Sequence, residues 1–249
     1  MIETWSYSLI SVLIVSLLSL IGVIALSIKK DRLKKILIYT ISFSAGALFG
    51  DAFIHLIPEA VEETGFSLKT ALYILSGIVF SFITEKFIHW RHCHLPHSKE
   101  HIHPFAIMNL LGDSVHNFID GLIIGASYLV NIPTGIATTI AVILHEIPQE
   151  IGDFGVLLQG GFSKAKALAF NFLTAATAIL GAIISLMLSS YIKGLTTFLI
   201  PFAAGTFIYI AGTDLIPELH KEVKFQRSLI QLVTFLIGIG IMVSLVLLD

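Results

Sequence analysis

The chain has 249 residues, of which 55% are hydrophobic and 13% charged, with a formal net charge of −2. A soluble domain carries about 25% charged residues, so this composition excludes water as the main solvent and points to lipid. The near-neutral balance offers no footprint for a nucleic-acid partner, and one cysteine, Cys93, excludes an intramolecular disulfide.

The first apolar run, Trp5 to Ile28, has neither a basic leading segment nor a small-residue cleavage site, so it reads as a retained span and not a signal peptide. A helical span needs about 20 mostly apolar residues. Eight runs meet that requirement, at 5–28, 36–58, 68–89, 104–130, 133–158, 166–190, 195–217 and 229–248. The expected fold is all-α: one polytopic transmembrane domain over residues 1–249, its sequential helices antiparallel because their connections are short. With the N-terminus outside, the cytoplasmic segments hold Lys29, Lys30, Arg32, Lys34, Lys35, Lys86, Arg91, Lys99, Lys164, Lys166, Lys221, Lys224 and Arg227. Lys69 and Lys193 alone fall on the other side. This asymmetry places both termini outside the cytoplasm.

Two segments repeat. FSAGALFGDAFIHLIPE at 43–59 and FAAGTFIYIAGTDLIPE at 202–218 align without a gap, matching Phe43 with Phe202, Ala45–Gly46 with Ala204–Gly205, and Leu56–Glu59 with Leu215–Glu218. They lie in the second and seventh spans, which run in opposite directions. Related segments of opposite direction mark inverted-repeat transporters. The expectation is therefore a 3+2+3 arrangement, spans one to three pairing with six to eight around a central fourth and fifth.

Those two central spans are the unusual ones. The fourth carries Asn109, Asp113, His116, Asn117 and Asp120, with Asp113, His116 and Asp120 on one face at spacings of three and four. The fifth carries a row of His145, Gln149 and Asp153, flanked by Glu146 and Glu150. A buried polar network that merely joins helices is the bland explanation. Neither span contains Lys or Arg, however, so these acids need protons, water or a metal cation. Imidazole with carboxylate suits zinc, and also iron(II), manganese(II) or cobalt(II). Pro148 removes a backbone donor and should leave the Leu144 carbonyl without its helical partner at membrane depth. That is tolerated where backbone lines a cavity. Gly121, Gly125, Gly152 and Gly155 are expected to let neighbouring helices approach closely.

His116-Asn117-Phe118-Ile119-Asp120-Gly121 matches the motif HNxxDG, and His145-Glu146-Ile147-Pro148-Gln149-Glu150 with Ile151-Gly152-Asp153 is similar to HExPHExGD. On these motifs, and on His55-Leu56-Ile57-Pro58 in the second span, the chain resembles the ZIP (Zrt/Irt-like protein) family of divalent metal transporters over essentially its whole length. The resemblance implies metal movement toward the cytoplasm through a binuclear-like site on the fourth and fifth spans. It implies His116, Asn117, Asp120, His145, Glu146 and Gln149 as metal contacts, with Glu150 as a further one. Zn2+ is the implied substrate, with Fe2+, Mn2+, Co2+ and Cd2+ as alternatives, and no organic cofactor is expected. Two departures stand out. Gln149 occupies the usual second His position, offering a neutral oxygen. The sixth span has no acid, only Asn171 and Thr174 among its polar candidates, where some branches of the family supply a ligand.

Path residues are expected on either side of that site. Asp51, His55 and Glu59 follow at intervals of four in the outer half of the second span. Asp214 and Glu218 are their counterparts at the cytoplasmic end. Asp113 and Asp153 continue the central rows, and Glu85 and His89 share a face with His92 at the end of the third span. The loop 90–103 is dense in imidazole: His92, His94, His97, His101 and His103, with Cys93, form a compositional metal-binding signal. The expected protein is an integral membrane protein of the plasma or inner membrane, in contact with lipid and a divalent metal, with a homodimer compatible. Two rivals remain. His145-Glu146 begins an HExxH-like string, as in a zinc hydrolase, but Gln149 replaces its second His and Pro148 interrupts it. A non-transporting metal sensor is the other, which an inverted repeat does not suit. The chain is expected not to be an enzyme.

Overall fold

A computed structural model describes residues 2–22, 30–89, 104–189, 191–192 and 194–246. Among these the chain is helical, with no strand. Helix α1 spans Ile2–Leu18, α2 Lys30–Gly50, α3 Ile57–Thr64, α4 Leu68–His89, α5 Pro104–Val130 and α6 Ile132–Gln159. Then come α7 (Lys164–Ala175), α8 (Thr177–Ser189), α9 (Leu195–Tyr209), α10 (Ile216–Leu219) and α11 (Phe225–Val246). Segment 90–103, with His92, Cys93, His94, His97, His101 and His103, lies outside the described residues, as does the side chain of His89.

Five stretches among the described residues are long and apolar enough to cross a membrane: Ile36–Glu62, Leu68–Lys86, Lys164–Ser189, Leu195–Leu219 and Phe225–Val246. The outermost, α4 and α11, are mostly exposed, and what they expose is Leu72, Leu75, Val79, Leu229, Leu232 and Leu236. A helix that presents apolar side chains outward belongs in hydrocarbon. Helices α5 and α6 are as long but carry the polar rows, and α1 is shorter.

The repeated sequence has a structural consequence. Between α2 and α3 the chain makes a π-helical turn, Asp51–Leu56, and between α9 and α10 it makes another, Ile210–Leu215. The two turns sit at the same offset as the repeat. Each closes with the same bond: Ile57 N–H donates to Ala52 O, and Ile216 N–H to Ala211 O. The cause is the shared Pro58 and Pro217. A proline ring clashes with the carbonyl four residues earlier, and a wider turn relieves the clash.

Packing follows the same pairing. Helix α2 lies against α11, and α9 against α4. Gly46 sits under the Phe235 carbonyl and Gly238 under the Phe43 carbonyl. In the other pair Gly205 sits under the Ile74 carbonyl and Gly77 under the Phe202 carbonyl. A Cβ at any of these four would stand 2.0–2.2 Å from a backbone oxygen. Absence of a side chain is what allows these backbones to touch. Helix α5 crosses α8 by the same device, with Gly121 under Ala178 O and Gly181 under Phe118 O. Gly125 is also closely packed, on Ser185 and Ala182. Gly152 and Gly155 correct the expectation: among the described residues a Cβ at either meets nothing within 4 Å, and Gly152 is exposed.

Candidate metal site

Helices α5 and α6 form a tight antiparallel hairpin. Asn131 links them, and its side chain accepts from Thr134 N–H at 2.7 Å, which caps α6. His116 precedes this turn by about as many residues as His145 follows it. At ~1.5 Å rise per residue, the two imidazoles come level about 21 Å along the hairpin.

There four side chains converge. His116 Nε2 lies 3.2 Å from His145 Nε2, 3.6 Å from Asp120 Oδ2 and 3.2 Å from Glu146 Oε1. His145 Nε2 lies 3.1 Å from Asp120 Oδ2 and 3.4 Å from Glu146 Oε1. Four ligand atoms held about 2.1 Å from one zinc ion at tetrahedral angles stand about 3.4 Å apart. The observed separations bracket that edge length. His145 also has its tautomer set. Its Nδ1 donates to the Ala141 carbonyl at 3.1 Å, which leaves the Nε2 lone pair directed at the cluster, as in most metal-bound imidazoles. Asp120, His145 and Glu146 are buried, while the His116 side chain is 21% exposed, so the cluster is reached from the His116 side. Asp120 Oδ2 and both carboxylate oxygens of Glu146 are buried, and among the described residues no Lys or Arg approaches them, only the two imidazoles. Such oxygens are costly at membrane depth unless a cation meets them.

An oxygen-rich layer adjoins the cluster. Asn117 Nδ2 donates to Asp113 Oδ1 at 2.9 Å, Asn109 Nδ2 to Asp153 Oδ1 at 2.9 Å, and Asn171 Nδ2 to Glu150 Oε2. Each amide satisfies one oxygen of an acid. Asp153 Oδ2, Glu150 Oε1 and the amide oxygens of Asn117 and Asn171 stay buried without a hydrogen-bond partner among the described residues. Asn117 and Glu150 are thus turned toward this layer and not into the four-residue cluster.

A cavity of about 360 Å³ joins the cluster to one end of the bundle. His116, Asp120, His145, Gln149, Asp113 and Asp153 line its inner part, and Glu85, Tyr209 and Asp214 its outer part. Tyr209 donates its hydroxyl to Glu85, and Thr213 donates to Asp214 at 3.2 Å. Asp51 and His55 lie apart from that cavity. Asp51 is fully buried, and His55, 7% exposed, donates Nε2–H to the Met242 carbonyl at 3.0 Å. Glu218 makes an exposed pair with Lys221.

The comparisons agree with this geometry. The family description "ZIP Zinc transporter" matches residues 2–104 and 91–246. The chain belongs to the ZIP zinc transporter family. Zinc transporter zipt-7.1 of Caenorhabditis briggsae is 32% identical over 98% of this chain and 80% of its own length. Zinc transporter ZIP13 of Pongo abelii is 32% identical, covering 97% of this chain and 78% of its own length. Zinc transporter SLC39A7 of Mus musculus is 28% identical, covering 97% and 70%. Within the ZIP family frame, sequence reasoning missed one contact of the site: Ser44 of α2, whose hydroxyl donates to the Leu144 carbonyl. The signal was Pro148 itself, which announces a carbonyl in need of a donor.

Proposed function

We propose that this protein is a zinc transporter that carries the ion toward the cytoplasm by alternating exposure of a site on α5 and α6. The observation that carries the reading is the convergence of His116, Asp120, His145 and Glu146, with ligand atoms within 4.8 Å of one another and separations suited to one tetrahedral ion. Gln149 lines the same cavity and offers a neutral oxygen to a metal there. Asp113, Asn117, Glu150 and Asp153 form the adjoining layer through which an ion passes.

The chain crosses the membrane eight times in a 3+2+3 inverted repeat. What supports this is the shared offset of the two π turns and the reciprocal glycine contacts of the α2/α11 and α9/α4 pairs. Both termini are extracytoplasmic by the Lys and Arg asymmetry. The cavity past Glu85 and Asp214 then faces the cytoplasm, and the buried Asp51 and His55 mark the closed outer side. By the same asymmetry the imidazole-rich loop 90–103 is cytoplasmic, and its role is to collect released metal.

A hydrolase asks for a second imidazole where Gln149 stands, and the relatives are named as transporters. The test is flux. Purified protein in liposomes should take up Zn2+ saturably, with Fe2+, Mn2+, Co2+ and Cd2+ competing in an order that gives the preference. Metal that binds but never crosses the bilayer would overturn the transport reading.

A further inference from the structure

Pro148 lies inside α6. It has no N–H, so the Leu144 carbonyl one turn earlier has no helical donor. Leu144 immediately precedes His145 and Glu146, so the peptide that carries this carbonyl is the one that leads into the ion cluster. The hydroxyl of Ser44, a fully buried residue on α2, donates to it.

The donor is placed where the carbonyl is freed. At the repeat-equivalent position on α9 stands Ala203, which has no hydroxyl, and α5 has no proline beyond its first residue. Ser44 is also embedded in a rigid neighbourhood: two residues on, Gly46 meets the backbone of α11. The hydroxyl has a second acceptor, the Thr40 carbonyl of its own helix at 2.7 Å. One hydroxyl hydrogen serves one acceptor fully at a time. Ser44 can therefore swing back to Thr40 when α2 and α6 separate, without losing its own bond.

We propose that Ser44 is a positioning residue for the metal site, its hydroxyl standing in for the N–H that Pro148 lacks and holding the turn that presents His145 and Glu146. The inference rests on the transport reading above. It touches no metal, so its signature is coupling to Pro148.

The test is a double-mutant cycle on the full chain in liposomes, read as zinc KM and maximal uptake rate. Ser44→Ala should raise KM about tenfold, as expected when a buried carbonyl is left without its donor. Ser44→Thr, which keeps the hydroxyl, should stay near wild type. In a Pro148→Ala background residue 148 regains an N–H for Leu144, so adding Ser44→Ala should change KM less than about twofold. An equal effect of Ser44→Ala in both backgrounds, or no effect in the wild-type background, would overturn the proposal. If Ser44→Ala alone fails to fold, recovery of folded protein in the double variant supports the coupling, and failure of the double variant where Pro148→Ala folds contradicts it. The same cycle can be read as zinc-induced change in melting temperature, which separates it from the transport reading: wild-type protein that binds zinc but does not move it leaves this readout intact.

Discussion

At the residue scale, the proposed site sets protons and a metal in competition for the same lone pairs. His116 and His145 bind an ion only as neutral imidazoles, and Asp120 and Glu146 only as carboxylates. Protons compete with the ion for these lone pairs, so lowering the pH weakens binding. Zinc affinity measured by titration from pH 8 to pH 5 should fall steadily, with protons released on binding at pH 6. A pH-independent affinity would mean that the imidazoles are not ligands. The residue types and their spacing were legible in the sequence, because acids and imidazoles on two apolar helices without Lys or Arg leave few explanations. Which of these oxygens converge was not. Asn117 and Glu150, which belong to the motif strings, bond to Asp113 and Asn171; Asp113 lies one turn away on the same polar face, but Asn171 comes from a distant span that no local pattern announces.

At the element scale, the glycines divide by what lies above them. Gly46→Ala puts a methyl carbon 2.0 Å from Phe235 O. Backbone cannot yield as a flexible side chain does, so α2 and α11 must part, at a cost on the order of 1–3 kcal/mol or more. Gly152→Ala meets nothing within 4 Å and replaces a poor helix former, so it should be neutral or stabilising by up to ~1 kcal/mol. Melting temperatures of the two purified variants in detergent check the contrast. Equal melting points would mean that the glycine contacts do not hold the pair together. Helix positions were readable from apolar runs: α4 and α5 span Leu68–His89 and Pro104–Val130, as the sequence predicts. The π turns were not readable. The repeated Leu-Ile-Pro-Glu was visible, but the proline's effect on the preceding turn depends on how the backbone relaxes, not on hydrophobic period. The same limit explains Gly152 and Gly155, whose spacing resembles a packing motif although among the described residues nothing lies within 4 Å of a Cβ there.

At the scale of the whole molecule, the cavity lies on one side of the cluster and the buried Asp51 lies apart from it. Ser81 and Thr84 line the cavity that leads from the cluster to Glu85 and Asp214, whereas Ala52 is fully buried beside Asp51. In a background with Cys93, the single cysteine of the chain, replaced by serine, Ser81→Cys and Thr84→Cys should react with a membrane-impermeant thiol reagent from the cytoplasmic face, and zinc should slow the reaction. Ala52→Cys should not react from either face while the protein rests in this state. Labelling of Ala52→Cys in place of the other two would reverse the assignment of open and closed sides.

The most direct test of the central claim is zinc uptake by liposomes holding His116→Ala or Glu146→Ala beside the wild type, each first shown to be folded. One substitution removes a ligand from α5, the other from α6. The account predicts saturable uptake by the wild type and none by either variant, with zinc binding weakened by about 100-fold or more, since even losing a group that only orients a ligand costs about 10–100-fold. Uptake that survives both substitutions would contradict it, because the ion would then cross without the cluster that the two helices build.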